Sequence, residues 1–382
     1  MAAIMTGRYP SACSMVGNND SLSEGLMTLP ELLSQAGYTC LGFTTNEFMS
    51  GRYGFDQGFD ELVYLKEDPS KEEIHVRSDE LTDRVIERLE DLAESQPFFL
   101  YVHSVDVHDP YTPVPELAAA FDRGRGKTVN GGQDLIRSVH RQYRFLTNDE
   151  VAHLIDLYDA EIAFNDAQIG RLLDELESRG LYRDLVIVVT SDHGEEFLEH
   201  GNLCHSRTLH RESTHVPLIV KWPDAKPGHR VEHAVRHVDI LPTLCRICGV
   251  ETPDNLPGRS LVGLLRGEEP KGGEREVFSE LNLESMVSLR RGGTHVIVSK
   301  PGRDWRESPL SRVQYFHTSD DPGETNNLAA LEPIRAGVEA AAAQFYHAQA
   351  RWNWEQLGLS GEEAVIDAEH LKILEALGYV GE

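Results

Sequence analysis

Lysine and long apolar runs are both scarce in this sequence. Only eight of the 36 basic residues are lysine, and 63 acidic residues bring the formal net charge to −27. A surface this acidic repels phosphate backbones, which argues against nucleic-acid binding through a basic face. The longest aliphatic run, residues 185–189, is far shorter than the roughly 18–20 apolar residues that a membrane span needs. We therefore expect neither a nucleic acid nor a membrane as a partner.

Cysteine is also sparse, and its number is odd. The five cysteines therefore form no disulfide framework. Cys245 and Cys248 have CxxC spacing, but they stand in an apolar helical pattern that ends at Gly249, and no second CxxC follows. We expect two structural cysteines that pack as small hydrophobic side chains, rather than a redox or metal site. The chain opens without the basic and apolar segments of a signal peptide, so we expect a cytoplasmic protein.

Short apolar runs alternate with helical patterns along residues 1–268. The runs predict strands over 38–44, 98–103, 185–190 and 216–220. Helical spacing predicts a helix over 29–36, another near 81–92, and a long one that opens with the capping box Thr147–Glu150 and ends at Gly180. Nearly continuous apolar strands separated by helices indicate a parallel sheet covered on both faces, in an α/β fold.

The pattern changes after a polar, glycine-rich link at 267–274. Strand-like runs at 277–281, 285–290, 294–299 and 313–317 predict a small antiparallel sheet, and an alanine-rich helix follows over 333–350. We therefore predict an α/β domain over 1–268, a small antiparallel sheet plus helix over 269–350, and an acidic C-terminal tail over 351–382.

The first candidate site residues, Asp192 and His193, directly follow the predicted strand 185–190. In an open α/β sheet, ligands bind beyond the carboxyl ends of the strands. A neighbouring carboxylate and imidazole suit a divalent metal. From these residues alone the alternative remains open that Asp192 caps a helix and that His193 is a surface residue.

Two further histidine clusters follow in comparable positions. One lies around His108, just after the strand 98–103, and the other lies around His205, downstream of the Asp-His pair. A histidine in such a place can meet a substrate oxyanion or give a proton to a leaving group. The chain has 17 histidines, and for any one of them a packed or solvated side chain is the default. Three clusters together indicate a site.

Seven short segments in order resemble the sulfatase family of the alkaline phosphatase superfamily. They cover nearly the whole chain and read MTGRYP at 5–10, GFDQGFDE at 54–61, HDPY at 108–111, SDHGE at 191–195, HG at 200–201, HVPLI at 215–219 and DDPGETNNL at 320–328. The resemblance implies an alkaline-phosphatase-like α/β/α sandwich with a mostly parallel sheet and a small antiparallel C-terminal subdomain. It also implies a sulfuric ester hydrolase that acts on a small sulfate ester with the help of a metal.

The resemblance assigns roles to four residues. Asp192 and His193 match the second pair of metal ligands, and the metal in this family is usually calcium. His108 matches a histidine that contacts the sulfate or the leaving oxygen. His205 stands where many sulfatases carry a sulfate-binding lysine, so it is expected to hold or protonate the ester. The metal lowers the cost of charge on the sulfuryl oxygens as the ester bond breaks.

His193 departs from the pattern, because many calcium sulfatases have asparagine at this position. Calcium prefers oxygen ligands, whereas imidazole suits manganese or zinc better. We therefore expect Ca²⁺ first, with Mn²⁺ and Zn²⁺ as alternatives. Relatives with an Asp-His pair hydrolyse phosphodiesters and phosphonate monoesters, so that chemistry is the alternative function.

The start of the chain departs further. In the family, a cysteine or serine oxidised to formylglycine is the nucleophile, and on the family pattern it falls just upstream of Met1. Cys13 follows the Gly-Arg-x-Pro segment, so we interpret it as structural. We expect an N-terminally truncated chain without its nucleophile and half its metal ligands. It is either part of a working hydrolase or a non-catalytic homologue. The loop 122–144 either lines the substrate pocket or is a solvated insertion.

Overall fold

The computed structural model describes residues 1–13, 15, 17–65, 76–90, 92, 97–124, 129–268, 275–281, 286–299, 312–357 and 362–364. Two compact units are present. The first unit holds Met1–Leu32, Val186–Glu196 and His205–Glu363, and the second unit holds Leu33–Leu185 with Phe197–Cys204. Residues 269–274 of the predicted link, most of the predicted tail at 351–382 and residues 125–128 of the loop 122–144 lie outside the described residues.

A three-stranded parallel sheet forms the centre of the second unit. Its middle strand, Thr39–Thr44, pairs in parallel with Glu61–Tyr64 on one side and with Phe98–His103 on the other. The strands predicted at 38–44 and 98–103 are thus confirmed, while the strand Glu61–Tyr64 carried too weak a pattern to be predicted. Because parallel strands end at one edge, Phe98–His103 delivers the loop that carries His108 to the edge where α/β sheets bind ligands.

Helices cover this sheet through an apolar core. Leu41 and Phe43 of the middle strand are buried against Leu81, Val85 and the other members of one hydrophobic cluster. Burying each such side chain stabilises the fold by about 1.5–3 kcal/mol. The helices of this unit are Ser78–Leu89, Pro115–Phe121, Gln133–His140 and Asn148–Ser178.

The long helix Asn148–Ser178 begins as predicted. The Thr147 hydroxyl accepts a hydrogen bond from the Glu150 amide, and the Glu150 carboxylate accepts one from the Thr147 amide, which completes the capping box. Its burial differs from the apolar stripe that the sequence suggests, because Ile162 of that stripe is 42% exposed. The buried polar residues of the helix are His153, Asp156, Glu161 and Gln168.

A second apolar cluster lies beneath the loops that follow the sheet. Tyr111, three residues after His108, is 2% exposed and packs against Tyr158 of the long helix and against Phe197. The cluster also contains Val129, Leu135, Ile136, Leu154, Leu203 and Cys204. The backbone that follows His108 therefore packs against a hydrophobic cluster rather than against solvent.

The first unit contains the predicted antiparallel sheet. Its strands run in the spatial order Val313–His317, Thr294–Ser299, Met286–Arg291 and Val277–Leu281, each antiparallel to the next. The helix Pro333–Leu357 packs on one face through small side chains such as Ala336 and Ala343, which are fully buried. Alanine lets the helix approach the sheet closely, which explains the alanine-rich sequence.

A separate pair of strands in the first unit corrects one expectation. Ile187–Thr190 pairs with Leu218–Lys221, and the pairing is antiparallel, although both predicted runs were assigned to a parallel sheet. The connection between them carries only the four-residue helix Arg211–Thr214. A parallel pair usually needs a full crossover helix, so the chain returns in the opposite direction.

The remaining elements are short. The helices are Ala2–Thr6, Leu29–Gln35, Ile240–Cys248 and Val262–Leu265, the 3₁₀ turns are Pro10–Ala12, Glu47–Met49, Gly51–Tyr53 and His237–Asp239, and the two-residue strands are Asp20–Ser21, Glu196–Phe197, Leu203–Cys204 and Glu362–Glu363. Within the described ranges, none of the helices combines the length and the hydrophobicity that crossing a bilayer requires.

A buried ion-pair cluster stabilises the first unit. Glu324 is 1% exposed and accepts hydrogen bonds from Arg290, from His295 Nδ1 at 3.0 Å and from the Arg211 amide at 3.1 Å. Burial alone would raise the pKa of Glu324, but the bond from His295 and the positive charge of Arg290 outweigh it and hold the pKa at about 2. The carboxylate thus stays ionised in the folded protein.

This cluster predicts an acid-dependent loss of stability. An unfolded glutamate has a pKa near 4.3, so the contribution of Glu324 is complete above that value and disappears as the pH falls towards 2. Glu324→Gln should lower the free energy of unfolding at pH 7 by about 3 kcal/mol, because it removes a carboxylate whose pKa the fold holds well below 4.3. Urea unfolding at pH 7 and at pH 3 measures the difference. The exposed Glu251→Gln is the matched control and should change stability little. An equal loss at both pH values would contradict the prediction.

Candidate active site

The strand Ile187–Thr190 ends in the predicted metal segment. The Thr190 hydroxyl donates to the Pro217 carbonyl at 2.8 Å, and the Ser191 hydroxyl donates to the His193 carbonyl at 2.5 Å. These bonds fold residues 191–195 into an irregular turn. The whole stretch 191–204 is described and contains no helix, so the alternative that Asp192 caps a following helix is wrong.

Glycine at position 194 is required by the close approach of another backbone segment. A Cβ atom placed on Gly194 would lie 2.1 Å from the Glu212 carbonyl oxygen. The Gly194 amide also donates to the Ser213 carbonyl at 3.0 Å. The segment after Asp192 and His193 is therefore held against the Arg211–Thr214 helix, and a larger side chain would displace it.

Asp192 and His193 lie together at the surface of this turn. The His193 amide donates to Asp192 Oδ1 at 3.2 Å, and His193 Nε2 lies 3.8 Å from the same oxygen. Each side chain is about one third exposed. A carboxylate and an imidazole in contact, and still reachable from solvent, form the start of a donor set for a divalent cation.

His205 joins this pair through Glu195. His205 Nδ1 lies 2.7 Å from Glu195 Oε1, and the Glu195 side chain is only 3% exposed. The His205 ring stacks on the His193 ring with 4.0 Å between the ring centroids. A carboxylate that accepts from Nδ1 fixes the tautomer and the orientation of the ring. Sequence reasoning missed this role of Glu195, although the residue stands in the SDHGE segment.

His237 is a second residue that sequence reasoning missed. It is half-buried, and its buried Nε2 has no hydrogen-bond partner among the described residues. Burial lowers the pKa of His237, as does the Met1 amino group, while the Asp192 charge and a hydrogen bond with the Ser191 backbone act in the opposite direction. A neutral imidazole is the form that binds metals. His237 could not be assigned to the site from the sequence because it is far from Asp192 along the chain.

These donors fit a divalent metal. Asp192 supplies a carboxylate and His193 an imidazole in contact with it, and the orphaned Nε2 of His237, a residue that feels the charge of Asp192, is the kind of atom that a bound cation would satisfy. The first unit thus brings together three of the residues relevant to the predicted chemistry, namely Asp192, His193 and His205.

His108 belongs to the second unit. Its Nδ1 lies 2.5 Å from the Asp109 carbonyl oxygen and 3.6 Å from Asp109 Oδ1, and its side chain is 12% exposed. Asp109 Oδ2 accepts a hydrogen bond from Gln133 at 2.8 Å. The ring is therefore held by its own loop, which in turn is fastened to the helix Gln133–His140.

The cysteines behave as structural residues. Cys13 is fully buried and bonds with the Thr6 hydroxyl at 3.4 Å, and burial raises the pKa of its thiol to about 11. Such a thiol does not ionise near neutral pH and is a poor nucleophile. Cys245 is likewise buried in the helix Ile240–Cys248, and neither it nor Cys248 forms a disulfide.

Sequence comparisons agree with this geometry. The family model Sulfatase matches residues 1–250. Arylsulfatase K of Mus musculus is 24% identical over 379 residues, which cover 87% of this chain and 67% of the mouse protein. The delta 4,5-hexuronate-2-O-sulfatase of Bacteroides thetaiotaomicron is 25% identical over 369 residues, which cover 86% of this chain and 73% of that protein.

Solved structures share the fold. A protein in complex with its substrate D-glucosamine-2-N,6-O-disulfate superimposes with a TM-score of 0.71 at 20% identity, over 93% of this chain and 87% of the other. The phosphonate monoester hydrolase of Silicibacter pomeroyi also gives 0.71, at 21% identity, over 92% and 85%. The predicted α/β fold with its small antiparallel sheet is confirmed.

A family model that covers two thirds of the chain, relatives aligned along most of its length and the shared fold all agree with the motifs around Asp192 and His205. The sequence-based prediction of a sulfuric ester hydrolase is confirmed: the chain belongs to the sulfatase family, whose members generally use a divalent metal.

Proposed function

We propose that the turn at residues 191–195 is the metal-binding half of a sulfatase site and that His205 acts on the ester. The observation that carries this proposal is the contact of Asp192, His193 and His205 within one turn region, with Glu195 orienting His205. Such a donor set next to an oriented imidazole suits metal-assisted hydrolysis of an anionic ester.

The metal would be held by Asp192, His193 and His237. When bound, it supplies a Lewis acid that stabilises charge on the ester oxygens. Two imidazoles beside one carboxylate favour Mn²⁺ or Zn²⁺ over Ca²⁺, which prefers all-oxygen ligands. Ca²⁺, the metal expected from the family, therefore becomes the weaker candidate. A direct binding measurement with each ion identifies the metal.

The two catalytic histidines have distinct roles in this proposal. Because Nδ1 of His205 is committed to Glu195, any action of His205 on the ester goes through Nε2, which can hold a sulfate oxygen or give it a proton. His108, from its match to the family segment His-x-Pro-Tyr, contacts the sulfate or the leaving oxygen. Both act as donors to oxygen atoms that gain charge as the ester bond breaks.

The first prediction concerns the metal. Mn²⁺, Zn²⁺ and Ca²⁺ are each added to the protein, and binding is followed by calorimetry and by the unfolding midpoint. A metal at 100 times its Kd stabilises the fold by about 2.7 kcal/mol. In a chain extended upstream of Met1 by the segment that we expect to carry the nucleophile, Asp192→Asn should abolish this stabilisation and lower turnover roughly 10²–10³-fold, since it removes a charge-stabilising element.

The exposed Asp254→Asn is the control and should bind metal like the wild type. Full metal binding and full turnover in Asp192→Asn would show that the site is assigned wrongly. Aryl sulfates and phosphonate monoesters are assayed in parallel, because the histidine ligands also suit the phosphonate hydrolases whose fold this chain shares. A preference for the phosphonate ester by more than tenfold in kcat/KM would favour that alternative.

We also propose that the substrate is a sulfated sugar. The turn after the helix Gln133–His140 exposes two aromatic rings, with Tyr143 81% and Phe145 83% exposed. Arg141 and Arg144 lie in the same turn and are also exposed. Aromatic faces pack on the apolar faces of sugar rings, and arginine pairs with sulfate and carboxylate groups. Relatives that act on a hexuronate or on a glucosamine sulfate support this substrate class.

The turn is ordered and tied to the loop of His108. The amides of Tyr143 and Arg144 both donate to the Ser138 carbonyl, at 2.9 and 3.2 Å. At the other end of the helix, Gln133 donates to Asp109, the neighbour of His108. The exposed rings are therefore presented by a rigid element of the second unit, which is what a specificity loop needs.

A double variant tests this substrate class. Tyr143→Ala with Phe145→Ala should lower kcat/KM for a sulfated disaccharide about tenfold or more, since two stacking contacts contribute about 1–3 kcal/mol. The same variant should hydrolyse a small aryl sulfate at the wild-type rate. Phe345→Ala, which removes an exposed ring of the first unit (60% exposed), is the control. Equal losses on both substrates would argue against a role in sugar recognition.

A further inference from the structure

The long helix Asn148–Ser178 turns a polar face inward. A helix on a soluble protein normally buries an apolar stripe, yet here His153, Asp156, Glu161 and Gln168 are all buried. Asp156 is compensated, because Arg123 Nη1 lies 3.1 Å from its carboxylate. Glu161 forms no such ion pair with any residue that the structure describes, so its burial needs another explanation.

Glu161 contacts the backbone of the loop that carries His108. It is 4% exposed, and its Oε1 accepts the amide hydrogen of Thr112 at 2.5 Å. Its other oxygen, Oε2, is buried without a hydrogen-bond partner among the described residues. Thr112 is four residues after His108, and the Tyr111 amide between them bonds to the Gly131 carbonyl at 3.0 Å. The long helix is thus hydrogen-bonded to the loop after His108 through the carboxyl group of Glu161.

The charged groups that face Glu161 from the packed elements are Asp106, Asp109 and Arg77. Asp106 accepts the Ser78 amide at 2.7 Å, and Asp109 accepts the Gln133 side chain. Arg77 lies over the Phe164 ring, 4.6 Å from its centroid, and donates to the Thr112 carbonyl at 3.4 Å. Two buried carboxylates against one cation favour an uncharged form of the buried Glu161 carboxyl.

We propose that Glu161 is a positioning residue whose uncharged carboxyl fastens the backbone of the loop from His108 to Thr112 to the long helix, and that ionisation of this carboxyl loosens the loop. The inference deepens the proposed function, since it rests on His108 acting on the ester. A protonated carboxyl still accepts from the Thr112 amide through its carbonyl oxygen, so the fastening bond survives without a buried charge.

The balance of the opposing effects supports this direction. Burial raises the pKa of Glu161, the Thr112 amide and Arg77 lower it, Asp106 and Asp109 raise it further, and the result is a pKa of about 8. The stronger bond that an ionised carboxylate would make to Thr112 therefore does not outweigh the cost of burying its charge. The folded state keeps this proton while the unfolded glutamate loses it near pH 4.3. Stability consequently falls between about pH 4.3 and pH 8 and is level above that.

Two variants separate the charge from the hydrogen bond. Glu161→Gln mimics the protonated acid, because its amide oxygen still accepts from Thr112 but cannot ionise. Glu161→Ala removes the acceptor. Glu177→Gln, an exposed residue on the same helix, is the matched control. Hydrogen exchange of the Thr112 amide is measured from pH 6 to pH 9.5, corrected for the intrinsic rate, together with the unfolding free energy and the pH profile of kcat.

In the wild type and in Glu177→Gln, protection of the Thr112 amide should fall at least tenfold between pH 6 and pH 8 and be level above that. The kcat should fall as Glu161 ionises around pH 8. Glu161→Gln should keep both protection and kcat up to pH 9.5. Glu161→Ala should lose protection at every pH. A side chain that only fills space would instead give pH-independent losses of stability in both variants.

Such pH-independent losses, or a wild-type amide whose protection is the same at pH 6 and pH 8, would overturn the proposal. The outcome is separable from that of the proposed function. If the chain extended by its expected nucleophile segment hydrolyses no sulfate or phosphonate ester, the proposed function fails, whereas the exchange of Thr112 still decides whether Glu161 holds the loop.

Discussion

The cost of burying a carboxylate is the constraint on which both units depend. Transfer of an ionised acid from water to a protein interior costs several kcal/mol unless charge and hydrogen bonds replace the lost hydration. The sequence has 63 acidic residues, so some must be buried. Asp239, fully buried, is paired with Arg236 and Arg275, each at 2.9 Å. Glu324 is paired with Arg290. In both places arginine supplies a planar, always charged partner, which fits the preference for arginine over lysine in this chain.

The carboxylates of the proposed site, at residues 191–195, are compensated differently from those paired with arginine. Glu195 is paired with His205 rather than with arginine, and Asp192 has the imidazoles of His193 and His237 for neighbours. Imidazoles compensate a carboxylate only partly, because they are neutral over much of the physiological range. The turn at 191–195 therefore keeps an excess of electron-donating groups that arginine would have neutralised. On the proposed function, a divalent cation would bind to these groups.

The features that could be predicted from the sequence are those that neighbouring residues in the chain determine. The strand Phe98–His103 is recognisable because its apolar run stops at a polar segment, and the long helix because Thr147 and Glu150 form a capping box. Asp192 and His205 stand in motifs. His237 and Glu161 could not be found in this way, since each acquires its role from a contact with a residue more than 40 positions away. The exposure of Ile162 also follows from distant contacts. The long helix buries polar residues such as Glu161, which bonds to the Thr112 amide, on the face that the apolar periodicity assigned to hydrophobic packing.

The negative net charge of the protein bears on how an anionic substrate would approach the proposed site. With a net charge of −27, the protein as a whole repels a sulfate ester. At physiological ionic strength this repulsion is screened beyond about 8 Å, so an anion that reaches the surface responds to the nearest groups. Near Asp192 and Glu195 those groups are themselves acidic. A bound divalent cation would be the largest local charge and would reverse the sign of the charge there. Its binding is thus as much a requirement for admitting the substrate as for the hydrolysis that follows.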